Sequence, residues 1–153
     1  MKIFIVHQGK TTDKNLDSLE REYLNRLSHY ASVEIKYLPE PKGQLSTNAI
    51  RSFEETNLLK LFKPSDLVLL FDEKGKNYSS AEFAQFLQKQ FLSGKNIFLV
   101  TGGPYGFSEG VYKRADGLIS LSAMTFTHQM VRVIIAEQLY RALTILKNEK
   151  YHH

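Results

Sequence analysis

The sequence contains no cysteine. This absence excludes a disulfide framework, a thiolate nucleophile and a zinc site with cysteine ligands, and it fits the reducing cytoplasm. Long hydrophobic runs are also missing, because no stretch approaches the roughly 18 apolar residues of a membrane span. The opening MKIFIVHQGK turns polar too early for a secretory signal and predicts a first strand instead. We therefore expect a cytoplasmic protein without a membrane segment.

A strong charge of either sign is lacking as well. The chain has 20 Lys and Arg against 16 Asp and Glu, which gives a net charge of +4. This mild basic excess permits contact with phosphates but does not require a nucleic-acid partner. The chain has 153 residues, of which 42% are hydrophobic and 24% are charged. That length and composition predict a single globular domain over residues 1–153 with a sizeable core.

Runs of β-forming residues alternate with amphipathic helical patterns along the whole chain. DLVLLF at residues 66–71 is almost continuously apolar, as a strand buried on both faces of a parallel sheet requires. Ser79 and Glu82 have the spacing of a helical capping box. The alternation predicts an α/β fold, with one mostly parallel sheet and helices on both faces. The predicted strands cover residues 2–6, 33–38, 66–71, 97–100 and 118–121, the predicted helices begin near 13, 46, 79, 111 and 129, and residues 72–76 form a predicted polar loop.

A double glycine follows the fourth predicted strand, in GGPYG at residues 102–106. The loop is not a P-loop, since no G-K-[ST] follows, and it is not the G-x-G-x-x-G that would follow a first strand. One interpretation is a tight turn, with glycine for a positive φ and proline for a fixed φ. The other is that Gly102 and Gly103 let a ligand approach the backbone. The glycines alone favour the turn.

Small and hydroxylated residues fill a second loop, SAMTFT at residues 122–127, between the fifth predicted strand and the last helix. Thr125 or Thr127 would serve as a helix N-cap. The same loop would equally expose backbone N–H and C=O groups to the edge of a purine. Because ligands of α/β proteins bind beyond the carboxyl ends of the strands, the two loops, taken to leave neighbouring strands, predict a binding site there.

The last helix carries charged side chains in an apolar setting. His128 and Arg132 are spaced to share one face at its start, where such a pair is as often structural as functional. Glu137 and Arg141 form a second pair of the same spacing. Apolar residues cover well over half of the helix surface, which predicts either contact with a second copy of the chain or a central helix covered by its own chain. The small number of other elements favours the second copy.

The chain ends in Tyr151, His152 and His153, which we call the tail. Physical reasoning alone makes the tail a frayed chain end. An aromatic ring and two imidazoles are also suited to stacking on bases and contacting phosphate.

GGPYG, the segment LSAMTFTHQMVRVIIAEQLYRA and the terminal Tyr-His together resemble the RlmH family. These are small SPOUT-class methyltransferases that methylate N3 of a pseudouridine in bacterial large-subunit ribosomal RNA. The resemblance extends over the whole chain, and its longest motif spans residues 121–141. It implies a cytoplasmic ribosomal RNA methyltransferase that uses S-adenosylmethionine and no metal, acts as a homodimer and has a C-terminal trefoil knot. Knots are so rare that general rules of chain topology argue against one.

The resemblance also implies roles for individual residues. His128 would accept the proton of the target nitrogen or orient the base, Arg132 and Arg141 would bind phosphate or stabilise negative charge on the uracil, and Glu137 would hold Arg141 in place. Tyr151 and His152 would close over the flipped-out base. The implied catalytic residues are His128, Arg132, Glu137, Arg141, Tyr151 and His152. The implied donor-binding residues are Phe71, Gly102, Gly103, Leu121, Ser122, Ala123, Met124, Thr125 and Phe126.

Three positions depart from the family pattern. Thr127 stands where proline is usual, and we expect it to serve as an N-cap instead. Phe71 stands where leucine is common, and it would still supply apolar surface for adenine. His153 stands where a basic residue often follows, which leaves its contact with phosphate open. A mild charge without a separate RNA-binding domain further predicts recognition of an assembled ribosome by shape. The alternatives are a knotted methyltransferase that acts on transfer RNA and a non-catalytic nucleotide-binding adaptor on the ribosome.

Overall fold

Five strands alternate with five helices over residues 1–153, the range that the computed structural model describes. All ten predicted elements are present, and their ends differ from the prediction by a few residues except in the third strand. The elements are β1 (Ile3–Gln8), α1 (Lys14–Leu27), β2 (Val33–Leu38), α2 (Thr47–Leu61), β3 (Leu67–Asn77), α3 (Ser80–Phe91), β4 (Ile97–Thr101), α4 (Glu109–Arg114), β5 (Gly117–Ser120) and α5 (His128–Leu146).

The strands form one sheet in the order β2-β1-β4-β3-β5, and every pair in it is parallel. This confirms the predicted α/β fold with a parallel sheet. The order corrects one expectation, because β3 lies between β4 and β5. The glycine loop and the second loop therefore leave strands that are not neighbours, and the end of β3 separates them.

β3 is longer than predicted, and residues 72–76 belong to it rather than to a loop. The reason is the edge strand β5, which pairs with β3 on both sides of an irregularity: Phe71 and Lys76 both lie opposite Ile119. Gly75 passes so close to β5 that a Cβ built on it would lie 2.5 Å from the backbone C and N atoms of Ile119. Pairing with a strand that comes more than forty residues later cannot be read from the local polarity of residues 72–76.

The two faces of the sheet have separate apolar cores. α1, α3 and α5 cover one face with the larger cluster, which includes Ile5, Leu99 and Leu139. α2 and α4 cover the other face with a smaller cluster. α5 packs against both α1 and α3, so its own chain covers most of its apolar surface. The expectation that too few elements remain to cover α5 was therefore wrong, although Met130 near its start stays 41% exposed.

Side chains at the helix starts satisfy free backbone N–H groups, and two of these caps, at α3 and α5, were predicted from the sequence. Asp13 accepts hydrogen bonds from the backbone of Asn15 and Leu16 at the start of α1. Ser79 and Glu82 form the predicted capping box of α3. Thr127 is the N-cap of α5, where it accepts from the backbone N–H of Met130. No helix has the combination of length and apolar character that crossing a membrane requires.

Candidate active site

A cleft of about 910 Å³ lies beyond the carboxyl ends of β4 and β5 and beside residues 71–74 in the middle of β3. This volume is typical of sites for small molecules and cofactors, which span roughly 300–1,000 Å³. The cleft brings together the middle of β3, the glycine loop, the second loop and the start of α5. Among the residues that the sequence singled out, those that line it are Phe71, Gly102, Gly103, Leu121, Ser122, Met124, Thr125, Phe126, Thr127 and His128. Ala123 does not line it.

The glycine loop is a turn, but its first two glycines are not there for a positive φ. Gly106 has the positive φ, at 71°, and its N–H donates to the carbonyl of Gly103 across 3.1 Å. A Cβ on Gly103 would collide with the carboxylate of Glu54, whereas a Cβ on Gly102 would make only ordinary contact with the Phe107 ring at 3.4 Å. Gly103 therefore lacks a side chain because Glu54 of α2 occupies the space that a Cβ would need.

Two side chains of α2 hold the glycine loop, and sequence reasoning missed both. Arg51 donates two hydrogen bonds to the carbonyl of Tyr105, from Nε at 3.0 Å and from Nη2 at 2.6 Å. Glu54 is buried under Gly103, and its burial raises the pKa of its carboxyl group. Nothing in the local pattern of α2 distinguishes these residues from the charged side chains on its solvent face.

The second loop uses its hydroxyl groups on its own backbone. Ser120 donates to the carbonyl of Ser122 at 3.1 Å, and the Ser122 hydroxyl accepts from the N–H of Met124 at 2.9 Å. Residues 123–127 are exposed. The loop thus presents backbone groups and the side chains of Met124 and Phe126 towards the cleft, and the hydroxyls fix its shape.

His128 and Arg132 are not brought to one site. His128 is exposed at the first residue of α5 and lines the cleft. Arg132 is 2% exposed, and its guanidinium donates to the carbonyls of Gln8 and Gly9 at 2.7 and 3.0 Å. A helical spacing of four places two Cβ atoms on one side, but the long Arg132 side chain folds inward onto the end of β1. Its hydrogen bonds tie α5 to β1 and leave it little capacity for phosphate.

Glu137 is the centre of a second cluster, further along α5. Its Oε1 accepts from Arg141 Nε at 3.0 Å, from Arg141 Nη2 at 2.6 Å and from the Tyr151 hydroxyl at 3.1 Å. The hydrogen bond to Glu137 raises the pKa of Arg141, and burial raises the pKa of Tyr151. The Arg141 guanidinium lies 4.7 Å from the centre of the Tyr151 ring, and its Nη1 is 3.4 Å from His152 Nδ1.

The tail is docked rather than frayed. The Tyr151 ring packs edge-on against Tyr140 at 4.7 Å, and its hydroxyl is 3.4 Å from that of Tyr23. Docking places His152 beside Arg141. Within one chain this cluster is remote from His128, because α5 rises about 20 Å between His128 and Arg141. The structure therefore separates the predicted catalytic residues. His128 lies at the cleft, a second group further along the chain comprises Glu137, Arg141, Tyr151 and His152, and Arg132 belongs to neither.

Asp72 and Tyr112 add a polar pair to the cleft that sequence reasoning did not name. The Tyr112 hydroxyl donates to Asp72 Oδ2 at 2.6 Å, and burial raises the pKa of Tyr112 to about 12. A signal for Asp72 existed, since it directly follows the apolar run of β3. No three acidic or histidine side chains meet in a group that could hold a metal ion.

A fully buried histidine behind the cleft was also missed. His7 Nε2 lies 2.7 Å from Glu20 Oε1, and both side chains are almost completely inaccessible. Burial lowers the pKa of His7 below its ordinary value, against the opposing effect of Glu20. His7 is the fifth residue of β1, where its apolar neighbours predict an inward side chain but give no sign of a carboxylate partner.

Acidification is expected to destabilise the intact chain more steeply than its His7→Gln variant. Because burial depresses the folded-state pKa of His7, the unfolded chain takes up a proton near pH ~6.5 that the folded chain does not. The contribution of neutral His7 to the free energy of unfolding is fully present above pH ~6.5. It is lost as the pH falls towards the folded-state pKa of His7, by at most about 1.4 kcal/mol per pH unit. Urea unfolding of both proteins across this range gives the two slopes, and parallel slopes would contradict a neutral buried His7.

The fold and the cleft define an α/β protein with a parallel sheet and a cofactor-sized site at its carboxyl edge. A solved structure, described as a probable methylase family protein from Haemophilus influenzae Rd KW20, aligns with a TM-score of 0.58 over 97% of this chain and 67% of that one. At 15% identity this likeness shows a shared fold alone.

A family model described as "Predicted SPOUT methyltransferase" matches residues 1–152, and the chain belongs to this family of methyltransferases. Three similar proteins carry the name ribosomal RNA large subunit methyltransferase H. That of Christiangramia forsetii is 51% identical over 100% of this chain and 99% of its own length. The one from Cytophaga hutchinsonii is 49% identical over 100% of both chains, and the one from Porphyromonas gingivalis is 46% identical over 100% of this chain and 99% of its own.

Proposed function

We propose that the protein transfers a methyl group from S-adenosylmethionine to N3 of a pseudouridine in bacterial large-subunit ribosomal RNA. The observation that carries this proposal is the cleft, built from three backbone segments with His128 at its edge, in a chain whose full-length relatives are named ribosomal RNA methyltransferases. A ribosomal substrate would place the reaction in the cytoplasm.

The cleft fits an adenosine-containing donor. Phe71 and Leu121 offer apolar surface for an adenine ring, and the backbone of the exposed residues 124–126 is suited to the polar edge of a purine. Gly102 and Gly103 also line the cleft, where their backbone atoms are available to the donor. When bound, the donor supplies a methyl group already activated by its sulfonium. The protein's task is then to position the two reactants and to exclude water.

The target nitrogen must lose its proton before its lone pair can attack. His128 is exposed in the cleft, where its imidazole is suited to accept that proton or to orient the base. Arg141 is suited to phosphate or to the negative charge that develops on the uracil, with Glu137 fixing its guanidinium. Tyr151 and His152 would close over the base. Arg132 has a structural role, because its hydrogen bonds connect α5 to the end of β1.

The distance along α5 between His128 and the Glu137 cluster supports a site that two chains share. His128 and Arg141 cannot meet on one base while they stand about 20 Å apart along a rigid helix. A homodimer that pairs the start of one α5 with the tail of the other would join them. Exposed apolar side chains in the second loop and at the start of α5 are available for such a contact, namely Met124, Phe126 and Met130. We further propose that residues after β5 pass through a trefoil knot, as the family resemblance implies.

Mass spectrometry of ribosomal and transfer RNA from a strain that lacks the protein tests the function. We expect one methylated pseudouridine to disappear from the large-subunit RNA and to return on complementation. Loss of a transfer-RNA methyl group would favour a different target. Donor binding without any missing modification would favour a non-catalytic ribosome adaptor. In vitro, intact ribosomes should be methylated faster than extracted RNA, because a compact domain of net charge +4 is suited to reading shape.

Replacing His128 by Ala is expected to slow methyl transfer by about 10²-fold, the lower range for loss of a general acid or base. Donor affinity should stay within about twofold, because no hydrogen bond from His128 shapes the glycine loop or the second loop. Calorimetry measures the affinity, and single-turnover assays measure the rate. Unchanged turnover would remove His128 from the chemistry.

A further inference from the structure

A continuous chain of polar side chains, four of them buried and Thr11 half-buried, lies behind the cleft, and the proposed methyl transfer does not use it. Thr101 Oγ1 is 2.9 Å from His7 Nδ1, and His7 Nε2 is 2.7 Å from Glu20 Oε1. Thr11 donates to the other oxygen of Glu20 at 3.3 Å and accepts from Arg132 Nη1 at 3.0 Å. We call these five residues the Thr101 network.

The network joins the two sides of the cleft. Thr101 is the last residue of β4, directly precedes Gly102 and lines the cleft. Arg132 lies one turn after His128 on α5 and is anchored on the carbonyls of Gln8 and Gly9. Four different elements or their connections therefore contribute: β1, α1, β4 and α5. Hydrogen bonds between largely buried side chains rigidify the elements that they join, although Arg132 Nε itself has no partner.

Glu20 decides which hydrogen bond the Thr101 hydroxyl donates. Its carboxylate keeps a proton on His7 Nε2, since two lone pairs cannot face each other at 2.7 Å. With a neutral ring, Nδ1 then has only a lone pair, and it accepts the single hydroxyl proton of Thr101. With a doubly protonated ring, Nδ1 donates instead, and the Thr101 proton turns to the carbonyl of Val6 at 3.2 Å.

Burial favours the neutral ring of His7. Glu20 from α1 favours a charged ring, Arg132 from α5 opposes it, and Tyr37 from β2, with its ring centre 5.9 Å away, adds no charge. Protonating His7 would add a second positive charge near that of Arg132. Because the His7 ring has no exposed surface, burying this charge would be costly. Burial accordingly lowers the pKa of His7. The Thr101 hydroxyl therefore points at His7 and is held there.

We infer that Thr101 is a positioning residue for the methyl donor, with its rotamer fixed by His7 and Glu20. This inference rests on the proposed function only in taking S-adenosylmethionine as the ligand of the cleft. The hydroxyl locks the last residue of β4, and so fixes the path on which the backbone enters Gly102 and Gly103. Arg132 holds the same network against α5, which keeps the glycine loop and the second loop at a constant separation.

Calorimetric titration of S-adenosylmethionine into four proteins tests the inference. Thr101→Val removes the hydroxyl at constant shape and is expected to weaken donor binding by about tenfold, as loss of one well-placed buried hydrogen bond would. Thr101→Ser restores the hydroxyl and should bind within about threefold of the intact chain. Thr144→Val is the matched control, because Thr144 is equally buried and donates to a backbone carbonyl at 2.8 Å, but on the far part of α5. It should lose similar stability without any change in donor affinity.

A remote substitution tests transmission through the network. Glu20→Gln lies outside the cleft, yet it should weaken donor binding severalfold. The double variant Glu20→Gln and Thr101→Val should bind the donor no more weakly than Thr101→Val alone. Donor binding by Thr101→Val equal to that of the intact chain would overturn the inference, as would full additivity of the two substitutions. If the intact chain binds no donor, the proposed function fails instead. Should Thr101→Val not fold, the difference between Thr101→Ala and Thr101→Ser decides in the same way.

Discussion

Removing Tyr151, His152 and His153 is expected to slow methyl transfer by at least about 10³-fold while donor affinity stays unchanged. The tail carries the ring and the imidazole that would enclose the base, and Tyr151 also fixes Glu137, which in turn holds Arg141. None of these contacts reaches the glycine loop or the second loop. The fold should survive, since the tail adds only one half-buried ring to a helix already packed between α1 and α3. Single-turnover methylation and calorimetry measure the two effects separately.

A chain that lacks only His153 is the matched control, because this exposed residue makes no contact with the Glu137 cluster. Its rate should stay within about twofold of the intact chain. Full activity of the longer deletion would mean that the tail takes no part in the reaction. Loss of donor binding on deletion would mean that the tail supports the cleft of its own chain.

Mixing two inactive chains tests whether the site is shared. The tail deletion keeps His128, and the His128→Ala chain keeps the tail. If each site takes His128 from one chain and the tail from its partner, random re-pairing should restore about a quarter of the intact activity, because half of the dimers are mixed and each has one complete site. A mixture that stays inactive would indicate that both groups act from the same chain.

Local patterns were sufficient to predict the fold class and most of the elements. β2 was predicted to the residue, and the caps Ser79 and Thr127 follow from side chains that accept from nearby backbone N–H groups. Such signals are short-range, so one sequence contains them in full. The extension of β3 through residues 72–76 was not predictable in this way, because its cause is pairing with β5, far along the chain.

The sequence predicted where the site lies better than it predicted which side chains contact each other there. The two unusual loops pointed to the carboxyl edge of the sheet, and the cleft is there. Spacing alone could not show that Arg132 turns inward to Gln8 and Gly9, since a spacing of four fixes the direction of Cβ but not of a long side chain. It also could not reveal His7 opposite Glu20. Buried polar partners come from different elements and meet only when the sheet has formed.

Gly75→Ala is expected to destabilise the protein by about 3 kcal/mol or more, at the upper end for overpacking in a core. The added Cβ would lie 2.5 Å from the backbone C and N atoms of Ile119 and 2.6 Å from the C atom of Leu118. Backbone atoms cannot rotate away as a side chain does, so β5 must separate from β3. Thermal unfolding should show a fall in Tm of roughly 6–12 °C for a chain of this size.

Gly117→Ala is the matched control on the partner strand, because its Cβ would meet only the Leu69 Cδ2 methyl at 3.2 Å, which can shift with its side chain. Gly117→Ala should lower the free energy of unfolding by less than about 1 kcal/mol. Since β5 leads directly into the second loop, the part of the Gly75→Ala protein that still folds should also bind the donor more weakly, whereas Gly117→Ala should not. Equal Tm values for the two variants would show that β3 and β5 can move apart at Gly75 without cost, and that the close approach of their backbones does not hold the second loop in place.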